Sequence, residues 1–266
     1  MKELLELVPA DVPIAVFLDY DGTLVAIRER PELARLHPKR KALLASLGRR
    51  TLVGLVSGRP LDELRRMVGA AGIAYVGNHG MEIRKGGKTW VHPTAAGLAQ
   101  RVARTTSAIR AKLDDLPGVM VEDKGLTASI HFRLASPRHR GTIRAIVAEE
   151  VRRSRGALIL TEGKMVFEVR PNIPWDKGRG ILKLMSLARC PKSCFPVYIG
   201  DDRTDEDAFR ALADHGLTIH VGLARRTRAR FRLRGVEQVW RFLAALEKRL
   251  GVSAGRRPGP GSSRGG

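Results

Sequence analysis

The chain has 266 residues, enough for one large domain or two small ones. Hydrophobic residues make up 43% of it, which supplies an ordinary buried core and excludes a chain disordered throughout. Lys and Arg number 48 against 27 Asp and Glu, and the formal net charge of +21 admits a nucleic-acid partner or a substrate carrying phosphate.

The chain opens on Met1-Lys2-Glu3-Leu4-Leu5-Glu6, with acidic residues where a signal peptide has its apolar core. No stretch reaches the length of a transmembrane helix, so the cytoplasm is the expected location. Residues 14–18 are a short apolar run that reads as a buried strand. It ends on Asp19, a second carboxylate follows at Asp21, and Gly22-Thr23 allow a sharp turn. Residues 39–47 have helical spacing, 51–56 form a second apolar strand ending at Ser57-Gly58-Arg59, and 61–68 a short helix. Residues 73–76 form a third strand, ending at Gly77-Asn78-His79-Gly80. Alternating strands and helices make a parallel sheet the economical reading.

The pattern then changes. Residues 81–83 and 89–91 flank Lys85-Gly86-Gly87, a hairpin signal. A helix over 94–116, strands over 119–122 and 127–134, a helix over 138–153 and strands over 157–161 and 165–169 repeat one order twice and suggest an α+β insert with an antiparallel sheet. A period of two places Thr127, Ser129, His131 and Arg133 on one strand face, and Lys164, Glu168 and Arg170 on another. Those faces suit either solvent or a ligand.

The alternation resumes with a helix over 177–188 that starts at Lys177, then Cys190 and Cys194 in C-P-K-S-C. Two cysteines at that spacing form neither a disulfide framework, nor a four-ligand zinc site, nor a C-x-x-C pair. A strand over 197–199 ends in Gly200-Asp201-Asp202, followed by a helix over 204–213, a strand over 217–221 and an amphipathic helix over 235–250. The basic residues are scattered, as in Arg49-Arg50 and the interrupted run over 225–234, and aromatics are only 5%. The excess therefore reads mainly as a solvated surface. From Val252 the chain is Gly, Ser, Pro and Arg with almost nothing to bury. The expected fold class is α/β, a Rossmann-like parallel-sheet core over 1–93 and 171–251 with an α+β insert over 94–170 and a disordered tail over 252–266.

Four strands thus end in polar residues at one sheet edge: Asp19/Asp21, Ser57/Arg59, Asn78/His79 and Asp201/Asp202, with Lys177 opening the helix after the insert. Hard cations such as Mg²⁺ take oxygen ligands, which Asp19, Asp201 and the Asp21 carbonyl can supply. A carboxylate nucleophile attacking phosphate needs its charge offset by a cation and a lysine, and a second carboxyl two residues on can move the protons.

Asp19-Tyr20-Asp21-Gly22-Thr23-Leu24, Ser57-Gly58-Arg59, Lys177 and Gly200-Asp201-Asp202-Arg203-Thr204-Asp205 together resemble the four motifs of the haloacid-dehalogenase-like (HAD) phosphohydrolases. That resemblance implies Asp19 as nucleophile, Asp21 as acid/base, Ser57 and Lys177 as phosphate-binding, Asp19, Asp21, Asp201 and Asp202 as metal site, and the insert as a type-two cap. Asp201 to Phe209, Gly77-Asn78-His79-Gly80, Glu162-Gly163-Lys164 and Glu168-Val169-Arg170-Pro171 are similar, more narrowly, to the trehalose-6-phosphate phosphatase family. This implies trehalose 6-phosphate as substrate, Mg²⁺ as cofactor, and Arg59, Asn78, His79, Lys124, Arg133, Glu162, Lys164 and Glu168 as substrate-binding. Asp205 matches an acidic family position whose role stays open. A monomer without a specific nucleic-acid or membrane partner is expected, with a trehalose-6-phosphate synthase as a candidate partner. The core motifs also admit a sucrose-phosphate or mannosyl-phosphate phosphatase, against which the cap strings argue. A nucleic-acid-binding protein would show steep salt dependence and would leave the carboxylates unexplained.

Overall fold

The computed structural model describes residues 2–27, 34–223 and 226–254. In chain order, α1 (Lys2–Glu6) precedes β1 (Ile14–Asp19), α2 (Pro38–Arg50), β2 (Leu52–Val56), α3 (Leu61–Val68), β3 (Ala74–Gly77), β4 (Glu82–Lys85) and β5 (Lys88–Val91). The insert follows as α4 (Pro93–Leu113), β6 (Met120–Asp123), β7 (Ala128–His131), α5 (Arg140–Arg152), β8 (Leu158–Gly163) and β9 (Val166–Pro171). The chain then returns through α6 (Lys177–Leu187), β10 (Phe195–Gly200), α7 (Asp205–Leu212), β11 (Leu217–Val221), β12 (Phe231–Leu233) and α8 (Val236–Ala254).

The main sheet has the order β12-β11-β10-β1-β2-β3-β4-β5. It is parallel from β12 to β3, and the β4–β5 hairpin extends it antiparallel. β1 is buried along its whole length because helices cover both faces, which is why its sequence is an unbroken apolar run and not an alternating one. Val16, Leu18 and Leu55 pack with Leu44 and Leu47 of α2, Leu64 of α3 and Phe242 of α8. Phe17, Val56 and Tyr198 pack on the other face with Ile181 and Leu184 of α6 and Phe209 of α7.

The insert forms a second, antiparallel sheet, β6-β7-β9-β8, backed by α4 and α5 around Ile109, Ile130, Val147 and Phe167. Its two connections to the core touch. The rings of His92, which caps α4, and Trp175, just before α6, lie 4.5 Å apart, and Trp175 Nε1 donates to the Gly80 carbonyl at 2.8 Å.

The expected parallel core and α+β insert are both present, with most element ends within a few residues. α1 and β12 went unrecognised. β12 is three residues long and its middle one is Arg232, too short for a period to show inside a basic run. The tail boundary shifts as well: α8 continues through Ala254, and residues 255–266 of the expected tail lie outside the described residues, as does Arg225 of the basic run. Among the described residues no helix is long and apolar enough to cross a membrane.

Candidate active site

Parallel pairing builds the site. β1 lies between β10 and β2, with Leu18 beside Ile199 and Asp19 beside Val56. Asp19, Ser57 and Asp201 therefore emerge at one carboxyl edge of the sheet, where open α/β sheets bind ligands. α6 begins under that edge, capped by Asp176, whose side chain accepts from the Arg179 N–H. This places Lys177, its first residue, against the strand ends.

Lys177 is buried, and its Nζ donates to Asp19 Oδ1 at 2.8 Å and to Asp205 Oδ1 at 2.7 Å. Tyr198 Oη on β10 donates to the same Asp205 oxygen at 2.5 Å. Asp205 Oδ2 accepts the backbone N–H groups of Asp201 and Asp202 at 2.9 Å each. Four hydrogen bonds occupy the lone pairs of one carboxylate. Asp205 is thus a hub that fixes the lysine and the turn bearing Asp201. Gly200 makes room for it, since a Cβ there would lie 2.4 Å from Asp205 Cγ. Gly22 is required twice over: its φ is +86°, and a Cβ would lie 2.0 Å from Asp201 Oδ2. Thr23 Oγ1 donates to Asp201 Oδ1 at 3.3 Å, which supports the turn as expected.

Asp19, Asp201 and Asp205 each offer an oxygen within 4.8 Å of the others. Burial raises the Asp19 carboxyl well above its usual range against the pull of Lys177, and Asp205 and Asp201 add to the rise. Burial and the Asp205 charge push Asp201 up to about 7. Burial disfavours the Lys177 ammonium, but Asp19 and Asp205 outweigh it and push its pKa up. One ammonium among three carboxylates, of which Asp19 and Asp205 are buried and Asp201 half-buried, leaves negative charge uncompensated, and this oxygen set suits a hard divalent cation. Asp19 and Asp201 fit as its ligands, because Asp205 is already saturated. Asp202, expected among the ligands, has an exposed side chain outside this group, and it joins the network through its backbone N–H.

Asp21 is engaged elsewhere. Its two oxygens accept from Arg59 Nε at 2.7 Å and Nη2 at 2.8 Å, a bidentate fork. Arg59 Nη1 donates to Glu63, and its backbone N–H donates to Ser57 Oγ at 3.2 Å. Burial opposes the Arg59 charge, but Asp21 and Glu63 outweigh it and push its pKa up.

The insert sheet turns a polar row toward the core: Glu122, Ser129, Glu168 and Thr161 stand side by side across its four strands. Glu168 Oε1 lies 3.2 Å from His79 Nε2 and 3.7 Å from Lys124 Nζ. Lys124 Nζ also donates to the Gly58 carbonyl at 3.4 Å, directly over the Ser57 loop. Burial opposes charge on Glu168, but His79, Lys124 and Arg170 hold its carboxyl well below the usual range. Burial lowers the His79 pKa against the pull of Glu168, and His79 Nδ1 is buried with no partner. His79 and Asn78 both take positive φ, +55° and +45°, uncommon for residues with a side chain.

Of the eight expected substrate residues, His79, Lys124 and Glu168 converge between insert and core. Asn78 is a tie instead: its Nδ2 donates to Glu82 at 2.7 Å and the Lys124 carbonyl at 3.1 Å, and its Oδ1 accepts from Thr127 at 2.8 Å. With both amide protons used and no exposed surface, it holds the insert to the core. Arg59 serves Asp21 as described. Arg133 lies in the turn beyond β7, not on the strand face expected for it, and is exposed. Lys164 is exposed in the β8–β9 turn. Glu162 stands apart from that set. It pairs with Phe167 on the helix-facing side of the sheet and bridges to Arg144 at 2.8 Å and Arg140 at 3.6 Å on α5. The β8–β9 turn that sets this pairing includes Met165 at a φ of +61°.

Sequence reasoning missed Tyr198, Glu63 and Glu122. Tyr198 sits in an apolar strand with no local signal, and Glu63, in the first turn of α3, meets Arg59 from the loop before that helix. Glu122 reaches His131 at 3.0 Å on the polar face that alternation had assigned to that histidine.

A family model described as Trehalose-phosphatase matches residues 17–237. A trehalose-phosphate phosphatase of Mycobacterium tuberculosis is 37% identical over 245 residues, 89% of this chain and 62% of that protein. A probable trehalose-phosphate phosphatase D of Arabidopsis thaliana is 32% identical over 250 residues, 88% of this chain and 67% of that protein. The chain thus spans less than two thirds of the mycobacterial relative. Among solved structures, a trehalose-6-phosphate phosphatase related protein superposes with a TM-score of 0.80 at 28% identity, covering 90% of this chain and 99% of that one. The C-terminal domain of a C. albicans trehalose-6-phosphate phosphatase gives 0.75 at 24% identity, covering 92% and 95%, a likeness of fold.

Proposed function

The chain belongs to the trehalose-phosphatase family, and from that premise we propose that it hydrolyses trehalose 6-phosphate to trehalose and phosphate with Mg²⁺ as cofactor. The observation that carries this reading is the buried Asp19–Lys177–Asp205 network, which presents a charge-offset carboxylate beside Asp201 at the sheet edge.

Asp19 attacks phosphorus and forms an aspartyl-phosphate. Lys177 offsets the repulsion between that carboxylate and the phosphate and stabilises the charge that develops on the transferring oxygens. Ser57 Oγ, fixed by the Arg59 N–H, lies at the end of the neighbouring strand to donate to the same group. Asp21 hands a proton to the leaving sugar oxygen and takes one from the water that follows. Asp19 and Asp201 would hold the Mg²⁺, which would supply further positive charge to the phosphate. The insert acts as the cap: His79, Lys124 and Glu168 are a desolvated polar set placed to meet the sugar hydroxyls. We place the enzyme in the cytoplasm, where free thiols such as Cys190 and Cys194 persist.

The test is phosphate release from trehalose 6-phosphate by the purified protein with Mg²⁺ or EDTA. Turnover that vanishes with EDTA and in Asp19→Asn supports the reading. Turnover that survives both overturns it.

A further inference from the structure

We propose that Arg59 is the positioning residue for the proton-transferring carboxylate of Asp21, and not a contact to the sugar. The inference rests on the phosphatase reading above, in which Asp21 carries the proton.

Asp21 stands on the turn after β1, and its side chain is 36% exposed, so packing alone does not fix its oxygens. The Arg59 fork fixes both, at 2.7 and 2.8 Å. The fork is itself held in place. The Arg59 side chain is only 10% exposed, its Nη1 is tied to Glu63 in the first turn of α3, and its guanidinium lies 5.9 Å from the centre of the Tyr20 ring. Its backbone N–H rests on Ser57 Oγ, so the phosphate-binding loop and the fork are one rigid piece. Three of the five guanidinium N–H groups, one each on Nε, Nη1 and Nη2, are directed at carboxylates.

The chemistry explains why this pair belongs here. As the Asp19 oxygen bonds to phosphorus and the ester P–O bond breaks, the Asp21 proton passes to the leaving oxygen. The alcohol departs neutral and Asp21 becomes an anion. That anion is the form Arg59 grips. A water oxygen then bonds to phosphorus, its proton returns to Asp21, and the Asp19–phosphorus bond breaks to release phosphate. Protons balance over the cycle, and Arg59 stabilises and aims the carboxylate at the point where it must act as a base. The Lys124 contact to the Gly58 carbonyl places the docked insert directly above this loop.

The experiment compares kcat/KM on aryl phosphates of graded phenol acidity, from p-nitrophenyl to phenyl phosphate, none of which carries sugar hydroxyls. Proton delivery matters most for the poorest leaving group. Asp21→Asn sets the reference, with a loss about 10²-fold greater on phenyl than on p-nitrophenyl phosphate. Arg59→Ala is expected to show the same gradient, about tenfold or more. Arg59→Lys keeps the charge without the fork and should retain most of the gradient. The double variant Asp21→Asn/Arg59→Ala should be no steeper than Asp21→Asn alone, because the two residues act as a unit. Thermal melts check folding, and Arg59→Gln carries the same test should Arg59→Ala not fold. A uniform loss across the series, or full recovery in Arg59→Lys, overturns the assignment of Arg59. A flat series in Asp21→Asn itself overturns the proton role of Asp21 and the reading beneath it.

Discussion

Lys177 and Asp19 stand 158 residues apart in sequence and 2.8 Å apart in space, joined by a buried ion pair. One opens α6 and the other closes β1, so the insert is threaded between the two halves of a single charge network. Asp19→Asn removes the proposed nucleophile but leaves Lys177 its bond to Asp205. Turnover should fall by about 10³-fold or more. Because burial disfavours the Asp19 charge, the metal-free variant should melt at or above the wild type. Phosphate release and thermal unfolding of the same preparation check both.

Asp205 gathers an ammonium, a phenol and two backbone N–H groups. Asp205→Ala strands all four in a dry site and should cost about 3–5 kcal/mol, or about ten degrees in Tm. Asp202→Ala, which removes an exposed side chain and keeps the backbone N–H that joins the hub, should stay within about 0.5 kcal/mol of wild type. Denaturant melts of both variants make the comparison, and equal losses would contradict the hub.

The pH dependence has a definite sign. With its pKa raised to about 7, Asp201 keeps in the native state a proton that the unfolded chain has already released. Metal-free stability contributed by this group is therefore greatest in acid and is lost as pH rises from about 4 through 7. A cation takes the place of that proton. Mg²⁺ should raise Tm by about a few degrees at pH 8 and much less at pH 5. Asp201→Asn should flatten both effects. Melts at the two pH values with Mg²⁺ or EDTA decide, and an equal Mg²⁺ shift at both would count against the assignment.

Two glutamates of the insert separate by the face they occupy. Glu168→Ala should lower kcat/KM for trehalose 6-phosphate by about 10- to 100-fold and spare p-nitrophenyl phosphate, since it removes a charged hydrogen-bonding group from the proposed sugar site. Glu162→Ala, bonded to α5 on the other face, should stay within about twofold on either ester. Steady-state kinetics on both esters compare them.

Where local chemistry and position coincide, the site is legible in the sequence. Asp19, Ser57 and Asp201 each end an apolar run, and parallel pairing then aligns run ends without further information. Lys177 is legible for the same reason, as the first residue of a capped helix. The insert is less so, because a period of two tells which residues share a strand face but not how two strands are matched across a turn. The resemblance groups Glu162 with Glu168, whereas across the β8–β9 turn Glu162 pairs with Phe167 and Thr161 with Glu168. Asn78 fails differently: its residue type suits a ligand, and only three-dimensional contacts reveal that its amide is spent on Glu82, Lys124 and Thr127.

The most direct measurement is phosphate release from trehalose 6-phosphate, sucrose 6-phosphate and glucose 6-phosphate by the same purified protein, with Mg²⁺ and with EDTA. The account predicts strong Mg²⁺-dependent turnover of trehalose 6-phosphate over the other two. Equal or greater turnover of sucrose 6-phosphate or glucose 6-phosphate, or no turnover of any ester by folded, metal-loaded protein, would contradict it.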